Sequence, residues 1–197
     1  MANVIDICNL ALSYLGQEQI TSIIDPQSKT AQLCALQYPM MRDAVLSEVE
    51  WTFASRRQMS GTPLAGAPVW GYAYAHALNN DVLRVTFCSD NTDEQMYNPN
   101  FKWVVEDRNI LSDSSVIYYR YVQAMDDTSK FSPCFVQALA ARMAAEMCIK
   151  ITENVKLHAN LVSLYQQKMQ YATTIDNMQG KSKRWRNGRL IASRGGY

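Results

Sequence analysis

The hydrophobic period of this chain changes twice, and that constrains the fold more than any single motif does. Up to residue 50 the apolar residues recur at spacings of three and four, the period of a helix buried along one face. Between 82 and 122 the period drops to two, as in a strand with one face turned inward. From 133 to 178 it returns to three and four. A pattern of one period does not settle into the other element. The fold class read from this is mainly α: a helical bundle with a small antiparallel β-meander inserted between the N-terminal and C-terminal helices, plus an extended C-terminal tail.

Local signals set the boundaries. Asn3 is placed to cap a helix over 3–15, with Asp6 in its first turn and Gly16 as its stop. Asp25-Pro26 is expected to open a second helix over about 26–50, and Pro39 predicts a kink or break near Tyr38. Residues 60–81, rich in Gly, Pro, Ala and aromatics, read as ordered but irregular. Strands are expected at Val82–Cys88, Phe101–Glu106, Asn109–Leu111 and Ser115–Val122, giving a β insertion of about 82–122 with turns at 107–108 and 112–114. Ser132-Pro133 starts a third helix over 133–151, on which Arg142, Glu146 and Lys150 form a charge ladder. A fourth helix, over 154–178, carries a heptad-like seam of Leu157, Leu161, Leu164, Lys168, Tyr171, Ile175 and Met178. Residues 1–180 read as one domain and 181–197 as a basic arm.

Little here points to chemistry. The five cysteines are scattered, with no CxxC, so each reads as a small buried hydrophobe. His76 and His158 have no partner at metal-ligand spacing, and HExxH, GxSxG, P-loop and GxGxxG motifs are absent from the sequence. No metal or cofactor is expected. Asp126-Asp127 and Asp90, Asp93 and Glu94 could be written as acid pairs, but turn composition explains them equally well. The chain is therefore read as non-enzymatic. No apolar run reaches the ~20 residues a membrane helix needs, and the N-terminus lacks the pattern of a signal peptide, which predicts synthesis and retention in a cytoplasm.

Charge and aromatics carry more. From Lys181 onward there are six basic residues and no acidic one, which leaves the remainder with 13 basic against 18 acidic residues, a net of −5. The arm, with Lys181, Lys183, Arg184, Trp185, Arg186 and Arg189, has three readings: a solvated terminus, a phosphate-binding segment, or a segment that orders on an acidic partner protein with Trp185 as its anchor. Trp70, Tyr72 and Tyr74 alternate, and Tyr118, Tyr119 and Tyr121 cluster on an expected strand. They read as packing, as a protein contact surface or as a stacking platform for sugars or bases.

The joint order of several short segments is distinctive. Asn9-Leu10-Ala11-Leu12-Ser13-Tyr14-Leu15-Gly16 is followed by Ile20-Thr21-Ser22-Ile23 and Asp25. Then come Ala31, Cys34, Tyr38-Pro39, Arg42-Asp43, Leu46 and Trp51-Thr52-Phe53-Ala54, and finally Trp70-Gly71-Tyr72-Ala73-Tyr74 and Asp81-Val82-Leu83-Arg84-Val85. This succession resembles the tail tubular protein A family of short-tailed phages, the head-to-tail adaptor or gatekeeper proteins. The resemblance implies a mainly helical fold with a small β insertion. It also implies a ring of twelve copies under the portal protein, with the tail nozzle protein docked below. Double-stranded DNA would pass through the channel without specific binding. The implied location is the head–tail junction of a virion, after assembly in the host cytoplasm, and the arm is the segment assigned to the portal. Two other functions stay open at this stage: nucleic-acid binding through the arm, and hydrolysis of cell-wall sugars by carboxylates.

Overall fold

The computed structural model describes residues 2–23, 28–66, 68–92, 98 and 100–179. The first helix, α1 (Val4–Tyr14), is closed at both ends by its own sequence. Asn3 Oδ1 accepts the Asp6 N–H at 2.8 Å and Asp6 Oδ2 accepts the Asn3 N–H at 2.9 Å, a reciprocal capping box. At the other end Gly16, at φ +65°, lets its own N–H reach Ser13 O at 3.2 Å and the Gln17 N–H reach Leu12 O at 3.0 Å.

The second helix, α2 (Lys29–Glu48), starts from Ser28, whose hydroxyl accepts the Ala31 N–H at 3.1 Å. The expected opening at Asp25-Pro26 lies outside the described residues. Of the kink or break expected near Tyr38, the break does not occur, since α2 runs through Pro39. It sits on the exposed face, where the carbonyl it leaves unbonded stays within reach of water, while buried Cys34, Tyr38, Arg42 and Val45 hold the opposite face.

Helix α3 (Pro133–Thr152) begins at the expected cap, with Ser132 Oγ accepting the Phe135 N–H at 3.2 Å. It is buried on several sides, because α1, α2 and α4 (Val155–Asn177) all pack against it. The seam expected on α4 is rotated. The buried stripe is Leu161, Tyr165, Met169, Ala172 and Asp176, whereas Tyr171 and Met178 are 62% and 72% exposed. A stripe spaced 4, 4, 3, 4 suits a helix lying on α3 in a globular packing better than it suits a supercoil.

The mainly-α reading is overturned by the β part. Among the described residues six strands form two three-stranded antiparallel sheets, so the fold is a mixed α and β one. The first sheet holds β1 (Ser55–Ser60), β3 (Val82–Ser89) and β6 (Ile117–Gln123), in the order β1-β6-β3. The second holds β2 (Tyr74–Ala77), β4 (Trp103–Glu106) and β5 (Asn109–Ser112), in the order β2-β5-β4. A meander would pair β3 with β4 and β5 with β6. Instead β3 pairs with β6, and the β4–β5 hairpin pairs with β2. The expected turn at Asp107-Arg108 is the hairpin loop, with both residues at positive φ (44° and 58°) and Glu106 opposite Asn109.

There are two cores. The larger joins α1–α4 and takes in Trp51, Ala54, Val122 and Met125 from the chain between α2 and α3. The smaller is Val82, Cys88, Ile110, Ile117, Tyr119 and Tyr121, contributed by both sheets. Alternate residues of β6 point to opposite faces, so Val122 belongs to the helical core while Tyr119 and Tyr121 belong to the small one.

Candidate docking surface

The segment between β1 and β2 is clamped at its end and free at its tip. The Leu64 N–H donates to Ala75 O at 2.8 Å, and the Ala73 N–H donates to Asp113 Oδ1 at 3.2 Å. Beneath it His76 is fully buried on β2, with Nε2 3.0 Å from Ser114 O and Nδ1 3.0 Å from Ser60 Oγ. A carbonyl only accepts, so Nε2 donates to Ser114 O, and in the neutral ring Nδ1 accepts from the Ser60 hydroxyl. This ties β1, β2 and the β5–β6 connection together. The tip then presents Val69, 100% exposed, and Trp70, 85% exposed, with Leu64 and Tyr74 partly exposed beside them in sequence. Gly71, at φ +91°, makes the turn after Trp70 that a side chain would strain.

The other aromatics expected at an interface separate by burial. Tyr72 and Tyr118 are half-buried. Tyr118 lines an open cleft of about 310 Å³ on the first sheet, with Arg57, Met59, Phe87 and Arg120. Arg120 is ion-paired with Glu50 and stacks over Phe87 at 5.7 Å. Tyr119 and Tyr121 are inside the small core, their ring centroids 5.7 Å apart. Burial pushes the Tyr119 phenol up to about 12. The basic arm, with Lys181, Lys183, Arg184, Trp185, Arg186 and Arg189, lies outside the described residues.

Asp126 and Asp127, weighed as an acid pair, have structural partners. Asp126 ion-pairs with Arg42, which also holds Asp43 at 2.9 Å and lies over the Tyr38 ring. Asp127 caps the 3-10 turn Thr128–Lys130, accepting the Ser129 N–H at 3.1 Å and hydroxyl at 2.6 Å. Those hydrogen bonds hold its carboxyl below the ordinary value. Asp93 and Glu94 lie outside the described residues. Among the described residues no three His, Cys, Asp or Glu are grouped to hold a metal ion, and no helix is long and apolar enough to cross a membrane.

Sequence reasoning missed two ties that fasten α4, one to the end of α2 and one to the turn between α2 and β1. The Tyr165 hydroxyl donates to Glu48 Oε2 at 2.7 Å. Asp176 accepts both the N–H and the hydroxyl of Thr52 at 2.8 Å. A charged residue in phase with the apolar stripe of α4 is the signal that could have found Asp176. Compared with known proteins, the chain matches no protein-family model, and no curated protein matches it.

Proposed function

We propose that this chain is a structural, non-enzymatic subunit of a phage head-to-tail connector, which assembles as a ring under the portal protein and offers the tail nozzle a surface to attach to. The observation that carries the docking reading is the tip at Val69-Trp70. Two large apolar side chains stand in solvent on a segment whose ends are held by the Leu64 N–H on Ala75 O and the Ala73 N–H on the Asp113 carboxylate. An exposed Trp is the kind of residue that dominates binding energy once a partner covers it. The particular partner class rests on the ordered motifs between Asn9 and Val85. The net charge of −5 on residues 1–180 supports it too, since a negative channel wall lets DNA slide instead of holding it. The arm is assigned to the portal, where Trp185 would anchor it.

The test is co-sedimentation of the purified chain with the portal ring encoded by the same genome. Saturation near one adaptor per portal subunit is expected, with loss of binding when the chain stops after Gly180. No binding at micromolar protein refutes the portal assignment. Salt-sensitive affinity for duplex DNA in its place would favour nucleic-acid binding through the arm.

A further inference from the structure

A shallow groove of about 280 Å³ runs between the start of α3 and the middle of α4, lined by Cys134, Gln137, Leu164, Gln167, Lys168 and Tyr171. It is the face of α4 that the rotated stripe leaves outside. Cys134 and Leu164 are half-buried, and Tyr171 is mostly exposed. Gln137 Oε1 holds the Lys168 ammonium at 3.1 Å, and that ammonium lies 5.8 Å from the centre of the Tyr14 ring.

These groups match an indole. Leu164 and Tyr171 offer carbon to cover the ring. Lys168 offers a cation to its electron-rich face. The amide oxygens of Gln137 and Gln167 offer acceptors for an indole N–H, which is costly to bury unpaired. Trp70 and Trp185 are the two candidate indoles, and charge decides between them. Residues 181–189 would bring Lys181, Lys183, Arg184, Arg186 and Arg189 up to Lys168, whereas residues 61–73 contain no charged residue. Trp70 does not fill the groove of its own chain, since it is 85% exposed there.

We propose that the Trp70 tip of one copy seats in the α3–α4 groove of a second copy. This rests on the docking reading above and names the partner of its tip. Knob and groove are different surfaces of one chain, so the contact is head-to-tail: every copy gives one and receives one. A buried aromatic covers about 150–250 Å², well short of the roughly 800 Å² per partner of a stable interface. The contact is therefore an anchor, and free association depends on concentration.

Sedimentation equilibrium of the full chain alone tests this, so the result is independent of portal binding. Reversible self-association is expected, weakened roughly tenfold or more by Trp70→Ala, as for a hot-spot residue, and equally by Tyr171→Asp. Both side chains are exposed, so the fold is kept. Mixed together, the two variants should form one-to-one dimers and stop there, because one retains only the groove and the other only the knob. A monomer up to millimolar protein overturns the proposal, as does unchanged association of Trp70→Ala. Association that survives Trp70→Ala but is lost when the chain stops after Gln179 assigns the groove to Trp185 and overturns it as well.

Discussion

Asp176 is a carboxylate on the inward stripe of α4, only 3% exposed, and it reaches across to the turn between α2 and β1. Its Oδ2 accepts the Thr52 N–H and its Oδ1 the Thr52 hydroxyl, both at 2.8 Å. Asp176→Ala removes both acceptors at once. A hydrogen bond to a charged group contributes about 1.5–3 kcal/mol, and an orphaned buried donor costs a further 1–3 kcal/mol. Thr52 itself is exposed, so water can take up its N–H, which places the expected loss near the lower end, about 2 kcal/mol. For a chain of this size that lowers Tm by roughly 4–8 °C. Asp176→Asn keeps the shape and one acceptor and should lose about half as much. Thr52→Ala spares the main-chain bond and should cost about 1 kcal/mol, and a double-mutant cycle with Asp176→Ala should show coupling of about 0.5 kcal/mol or more. Urea and thermal melts of the parent and the four variants measure all of this. A melt of Asp176→Ala within a degree of the parent would refute the view that this carboxylate fastens the last turn of α4 to the sheet side.

Arg42→Ala should cost more than Asp126→Ala. The Asp126 side chain is 89% exposed, so its loss should stay below about 1 kcal/mol, whereas Arg42 also gives up Asp43 and its packing on Tyr38, roughly 2–3 kcal/mol in urea titrations. The reverse order would contradict the burial argument. Asn3→Ala should remove about 1 kcal/mol, visible as faster hydrogen exchange in the first turn of α1. The Tyr119 hydroxyl has no hydrogen-bond partner among the described residues, so Tyr119→Phe should be neutral or stabilising by up to about 1 kcal/mol near neutral pH. Burial raises Tyr119 and Tyr38 from 10 to about 12. The unfolded chain sheds these protons above pH 10 and the folded one only near 12, so stability falls as pH rises between them. Tyr119→Phe should make that decline shallower; an unchanged slope in urea melts across this range would count against the assignment.

The helix ends are legible in the sequence because caps are local chemistry: Asn3 with Asp6, Gly16, and Ser132-Pro133 need no distant partner. The sheets are not, because a period of two tells which face turns inward and not which strand lies alongside. β1 is hidden for another reason: Ser55–Ser60 has one apolar residue, Met59, so no alternation marks it. The inward face of α4 is misread because Leu157, Leu164 and Ile175 outweigh Tyr165 and Met169 in hydrophobicity, and Asp176 looks like solvent-facing charge. Of the six candidate aromatics, Trp70 is the one that stands most exposed, in Gly- and Pro-rich surroundings that leave packing and contact surface equally open when read alone. Tyr119 and Tyr121 share one phase of β6 and go inward together, which a cluster read without its strand phase does not reveal.

The sheets have a small core that shares no buried member with the core of the four helices, and the segment carrying Trp70 lies outside both. β3 and β6 nonetheless serve both, since Leu83 and Val122 pack with the helices while Val82 and Tyr121 belong to the small core. Substitution at the exposed tip therefore changes the surface around Trp70 without entering either core, whereas substitution in the small core reaches the helices through these two strands.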